Sequence, residues 1–211
     1  MPPIKVVAFD CDGVMFDTTE VNRMYYNLLL AHFGRPPMDE AQLAFVHQHA
    51  VEESVNFLFD ADPSLVEKVH AYRRTMDYRP LFAHMLIEPH LKSVLDWLKQ
   101  RVRTAVVTNR TDTIGPVLDT FGLSHRFDAV ISALDVQHPK PHPEPLLRIL
   151  TLFAVKPEEV IYVGDSAVDE AAATAAGIPL VAYRNPALEA RWHIEGLDEI
   201  LGIVNGKGAK G

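Results

Sequence analysis

Short apolar runs alternate with helical patterns along this chain. The runs IKVVAF, VRTAVV, AVIS, VIYV and LVAY are rich in β-branched residues and almost wholly apolar, as strands are when both faces are buried. Between the last four, amphipathic segments predict helices. Asp112 to Phe121 stops at Gly122, and Pro145 to Phe153 carries Leu146, Leu147, Ile149 and Leu150 on one broad face. The segment after GDS, Ala167 to Ala176, ends at Gly177, a residue suited to the left-handed position that closes a helix. Strand, turn and helix in alternation predict parallel βαβ units, and hence an α/β protein built on a doubly wound, mainly parallel sheet.

The first run is followed by a long stretch, Asp17 to Ile87, with helical patterns and no convincing strand. Val21, Met24, Tyr25, Leu28 and Leu29 share one face; Leu43, Val46, Val51, Val55 and Leu58 mark a second helical region; Asp62 and Pro63 open a third as N-cap and first helical residue. This pattern predicts a small helical cap domain, residues 17–87, inserted into a discontinuous core of residues 1–16 and 88–211. Pro89 restarts the core with the helix HLKSVLDWLKQ, and the GKGAKG tail is expected to fray.

A length of 211 residues suffices for one core plus such an insertion. At 48% hydrophobic and 23% charged the composition is that of an ordinary globular protein. The formal net charge of -8 argues against sequence-independent nucleic-acid binding, while small anions remain open to a cleft with local positive groups. Cys11 stands alone, which excludes an intramolecular disulfide and fits a reducing compartment. The N-terminus lacks the pattern of a signal peptide, and no apolar run reaches the roughly 18 residues of a membrane span. The expectation is a cytoplasmic protein with neither nucleic acid nor membrane as partner; oligomeric state leaves no mark in the pattern.

The chemistry gathers where the runs end. VVAFDCDGVMFDT sets Asp10 and Asp12 one residue apart at the end of the first strand. If the extended geometry persists, alternation points both acids one way and Cys11 the other, and Gly13 then lets the chain turn. Two carboxylates this close need a cation, a shared proton or exposure to water. VVTNR places Thr108 and Asn109 at the end of the second strand, HPKPHPEP places Lys140 in a loop before a helix, and VIYVGDSAVDEAAA places Asp165 and Asp169 after the fourth. Each has an ordinary structural reading: an N-capping turn, a surface lysine, a helix start rich in capping acids. Their common position at strand C-terminal ends, where open α/β sheets bind ligands, favours a site.

With these four motifs in this order, the sequence resembles the haloacid dehalogenase superfamily, in its branch of phosphoglycolate-phosphatase-like small-molecule phosphatases, over essentially the whole chain. The resemblance implies a Rossmann-like core and a magnesium-dependent phosphatase that hydrolyses a small phosphorylated metabolite through an aspartyl phosphate. It implies that Asp10 is the nucleophile and Asp12 the general acid and base, with the Asp12 main-chain carbonyl also on the metal. It implies that Thr108 and Asn109 bind phosphoryl oxygens and that Lys140 neutralises them. Asp10 and Asp165 would give carboxylates to Mg2+, with Asp169 as support or as partner to Lys140, Gly13 providing the turn and Gly164 allowing close approach. Ser166 is read as a helix cap. Asn22 and Arg23, on the first helix of the insertion, are the expected specificity residues, with Arg110 a cation near the phosphate entrance.

A sugar-phosphate mutase would share every core residue, but Asn22 stands where some such enzymes of the superfamily carry histidine. A non-catalytic or receiver-like phosphate-binding module would need neither the insertion nor Asp12. Arg73, Arg74 and Arg79 are further cations of the insertion. Neither His47 with His49 nor His138 with His142 shows the helical spacing and glutamate of a zincin, which speaks against a transition-metal site. Cys11 lacks the anion-binding loop and arginine of a cysteine phosphatase and reads as a buried thiol.

Overall fold

The computed structural model describes residues 2–59 and 63–206. In chain order the elements are β1 (Val6–Phe9), β2 (Phe16–Asp17), α1 (Thr19–His32), α2 (Glu40–Gln48), α3 (Val51–Phe59), α4 (Pro63–Arg73), α5 (Arg79–Phe82), β3 (Leu86–Ile87) and α6 (Leu91–Leu98). They continue with β4 (Arg103–Val107), α7 (Ile114–Thr120), β5 (Ala129–Ile131), α8 (Glu144–Phe153), β6 (Val160–Gly164), α9 (Ala167–Ala176), β7 (Leu180–Tyr183), β8 (Trp192–Ile194) and α10 (Ile200–Val204). Two compact units emerge, Met1–Phe16 with Ile87–Gly211, and Asp17–Leu86. Ile87 thus falls with the first unit, one residue away from the boundary expected from sequence.

In the first unit six strands lie in the order β5-β4-β1-β6-β7-β8, every neighbouring pair parallel. All four residues of β1 are fully buried, which its uninterrupted apolar run requires in a strand covered on both faces. One layer of the core joins Val6, Ala8, Ala105, Val107, Val160 and Tyr162 to Leu146 and Ile149 of α8 and Ala172 and Ala173 of α9. The chain builds outward from β1 to β4 and β5, then returns to add β6, β7 and β8 on the other side. The direction of winding changes beside β1, where ligand crevices form in such sheets. The sequence reading contains five of these strands; β8 is the sixth.

The second unit is helical. Val21, Tyr25, Tyr26, Leu29 and Leu30 form the buried face of α1. The single region expected from Leu43 to Leu58 is two helices, because His49 is extended (ψ 157°) and α2 is a separate helix with its own capping box, in which Asp39 accepts from Gln42 N at 2.8 Å. Pro63 opens α4 as expected; the Asp62 cap and, beyond Gly206, the GKGAKG tail lie outside the described residues.

Candidate active site

Parallel register brings the ends of three strands level. Phe9 pairs with Val106 on one side and Val163 on the other, so Asp10 leaves β1 between Thr108 after β4 and Asp165 after β6. Its N–H donates to Val163 O at 2.9 Å. The strand does not run on to Asp12. The chain turns at Cys11, whose carbonyl accepts from Met15 N and Phe16 N, and Gly13 adopts φ 81°. The acids are therefore arranged by a turn, in place of alternation along a strand. Burial pushes the Cys11 thiol well above its ordinary range, which keeps it neutral and inert.

Lys140 is the hub. It is 4% exposed, and its three ammonium protons have three partners: Asp10 Oδ1 at 2.7 Å, Asp169 Oδ1 at 2.7 Å and the Tyr162 hydroxyl at 2.8 Å. Asn109 fixes its backbone, accepting from Lys140 N at 3.0 Å and donating to Lys140 O at 2.9 Å. The resemblance assigns Asn109 a main-chain contact to phosphate; here its side chain also ties the end of β4 to the Lys140 loop.

Asp169 belongs to the start of α9, where Ser166 is the N-cap, as expected. Its Oδ2 accepts from Ser166 Oγ at 2.7 Å, and its Oδ1 serves both Lys140 and Tyr162. Burial works to raise its titration, but the Lys140 ammonium and these hydrogen bonds hold it below the usual carboxylate value. Burial pushes Asp10 up to about 7, against the pull of Lys140, with Asp169 and Asp12 adding to the rise. Burial likewise pushes Asp165 up to about 8, reinforced by Asp169 and Asp10.

One carboxylate oxygen from each of Asp10, Asp165 and Asp169 lies within 4.8 Å of the others. Three acids around one ammonium make a pocket short of positive charge, and its oxygen donors suit a hard divalent cation. With Asp169 engaged at both oxygens, Asp10 and Asp165 are the carboxylates fitted to ligate it. The glycines permit this crowding: a Cβ on Gly13 would stand 2.1 Å from Asp165 Oδ2, and one on Gly164 would stand 2.4 Å from Asp169 Cβ.

Arg110, expected as a cation near the phosphate entrance, lies beside Thr108 and Asp12. It forms a bidentate pair with Asp12, Nε to Oδ2 at 2.7 Å and Nη2 to Oδ1 at 2.6 Å, while its N–H donates to Thr108 Oγ1 at 3.1 Å. Within the helical unit, Asn22 Nδ2 is 2.8 Å from His47 Nδ1, and Arg23 pairs with Glu40 and Glu20. Arg73 is buried against Glu52 and His70, and Arg79 is paired with Asp77 on the surface. Two contributors escape the sequence reading. Tyr162 is hidden in an apolar strand, although a buried tyrosine hydroxyl demands a partner. Asn185, just past β7, donates to Asp165 O at 2.7 Å.

A family model described as haloacid dehalogenase-like hydrolase matches residues 7–183. A phosphoglycolate phosphatase of Pasteurella multocida is 28% identical, over 97% of this chain and 100% of that protein; one of Pseudomonas putida is 31% identical, over 84% and 68%. The crystal structure of a subfamily IA, variant 1 hydrolase of the same superfamily, from Geobacter sulfurreducens, superposes with a TM-score of 0.84 at 39% identity, covering 95% of this chain and 99% of that one.

Proposed function

The chain belongs to the haloacid dehalogenase-like hydrolases, and from that premise we propose how its residues hydrolyse a phosphoric monoester. It is a phosphatase for a small phosphorylated metabolite, and phosphoglycolate is the first substrate to test. Asp10 attacks phosphorus, the bond to the leaving oxygen breaks, and an aspartyl phosphate forms. Asp12 gives its proton to the leaving alkoxide, then takes one from the water that attacks phosphorus to free Asp10 and inorganic phosphate. Both Asp12 oxygens are taken by the Arg110 guanidinium, so Asp12 must part from Arg110 to reach a leaving group.

Thr108, the Asn109 N–H and Lys140 hold the phosphoryl oxygens, the electrostatic work on which phosphoryl transfer depends. Asp10, Asp165 and the Asp12 carbonyl would hold magnesium, which when bound supplies positive charge at those oxygens. Selection of the leaving group falls to the helical unit, with Asn22 and Arg23 on α1 the residues to alter first. A reducing, cytoplasmic setting agrees with a lone buried thiol.

The observation that carries this reading is the buried Lys140 ammonium bonded at 2.7 Å to Asp10, in a pocket shared with Asp165. Phosphate release is expected to vanish with a chelator and return with magnesium, calcium substituting poorly. Asp10→Asn is expected to abolish the trapped phosphoenzyme and lower turnover on the order of a thousandfold or more. Undiminished turnover after exhaustive metal removal overturns the proposal.

A further inference from the structure

Beyond the acidic pocket, a second group of metal-binding side chains converges among the described residues. One ligand atom each from His138, His142 and Glu144 lies within 4.8 Å of the other two, all on the HPKPHPEP stretch that carries Lys140. His138 Nδ1 is 3.1 Å from Glu144 Oε2, and the two imidazole rings are 4.7 Å apart. Two ligands of one tetrahedral ion stand roughly 3.3 Å apart when each bond is about 2.0–2.1 Å, so the His138–Glu144 spacing already suits a shared ion. The Glu144 carboxylate is aimed by the backbone, accepting from Gln137 N at 2.9 Å and His138 N at 3.0 Å. Such outer hydrogen bonds orient ligands. The two histidines are exposed, and His142 Nδ1 accepts from Glu144 N at 3.2 Å, so the same glutamate holds both rings beside its carboxylate.

The sequence argues against a site here because the histidines sit on no helix and enclose no glutamate. The structure supplies the glutamate from the first residue of α8, beyond a loop stiffened by Pro139, Pro141 and Pro143. We propose that His138, His142 and Glu144 form a second metal site, for a borderline divalent transition ion such as zinc or nickel, whose occupancy clamps the loop carrying Lys140. Two imidazoles and one carboxylate prefer such ions to magnesium, whereas the all-oxygen acidic pocket has the opposite preference. Lys140 stands midway between the histidines, with its backbone already tied to Asn109. An ion held by both flanks would close the loop on its open side.

The test is zinc titration of the metal-free full chain by calorimetry, with the cobalt(II) visible spectrum as a second probe. One zinc should bind to wild type and equally to Asp165→Asn, which disables the acidic pocket. His138→Ala and His142→Ala should each bind it at least about tenfold more weakly while melting without metal at the wild-type temperature. Cobalt should give the intense absorption of a four-coordinate nitrogen-containing site in wild type, lost in both histidine variants. Hydrogen exchange over residues 137–143 should slow on zinc addition only where both histidines remain. Equal zinc affinity in wild type and both histidine variants overturns the site, and binding without slower exchange overturns the clamp. No readout uses turnover, so this site and the catalytic roles stand or fall separately.

Discussion

Gly13 holds φ 81°, and any side chain there would run into the Asp165 carboxylate at 2.1 Å. An L-residue forced into the left-handed region loses about 1–2 kcal/mol before any clash is counted. Gly13→Ala is therefore expected to lower stability by at least that much in a urea titration. Because Asp165 must move to admit the methyl, its apparent magnesium affinity should also fall by about tenfold or more. A variant with the wild-type magnesium dependence would remove Asp165 from the ligand set. Asp12 is separable from Asp10 by the leaving group. An alkoxide needs a proton to depart and a nitrophenolate does not, and positioned proton transfer contributes about 10²–10⁴ in rate. Asp12→Asn is thus expected to reduce turnover of an alkyl phosphate far more than that of nitrophenyl phosphate. Equal losses on both substrates would show that Asp12 is not the acid.

At the scale of elements, the Lys140 loop is aligned by a neighbouring strand end. The Asn109 amide makes both a donor and an acceptor contact to the Lys140 backbone, each bond worth a net ~1 kcal/mol. Asn109→Ala is expected to cost about 1–3 kcal/mol and to lower kcat more than it raises KM; an unchanged kcat would mean that the loop holds Lys140 without help. The elements also show what a sequence makes visible. Runs such as IKVVAF and VIYV stand out because strands buried on both faces leave no polar interruption. Trp192–Ile194 does not, since a three-residue strand with an exposed His193 at its centre has too short an alternation to tell from a loop. The site followed the same division. Asp10, Asp12 and Asp165 were legible because each is polar where an apolar run ends, and Lys140 because it stands in a proline-rich loop before a helix, whereas Tyr162 lies inside the run and its bonds to Lys140 and Asp169 depend on strand order. The Asp12–Arg110 pair joins residues 98 apart in sequence, and no local pattern announces it.

For the whole molecule, folding gathers Asp10, Asp165 and Asp169 around the single ammonium of Lys140, in a chain whose formal net charge is already -8. The unfolded chain releases the protons of these acids near the ordinary value of 3.8, but in the metal-free fold burial carries Asp10 to about 7 and Asp165 to about 8. The folded state therefore holds protons that the unfolded state has lost. Stability must fall as pH rises wherever that difference exists. The contribution of these two groups is fully present below about pH 4 and is lost as pH climbs through 7 and 8; Asp169, held low, has the opposite sign and acts only in acid. Magnesium competes with the same protons, since the ligating carboxylates must be ionised. At one fixed magnesium concentration the rise in Tm is expected to be larger at pH 8.5 than at pH 6.5. Calorimetric titrations near pH 6.5 in buffers of different ionisation enthalpy should show net proton release on binding, fading above pH 8. If the magnesium shift in Tm is flat across this range and no proton is released, Lys140 alone keeps Asp10 and Asp165 ionised, and the pocket is less short of positive charge than its geometry implies.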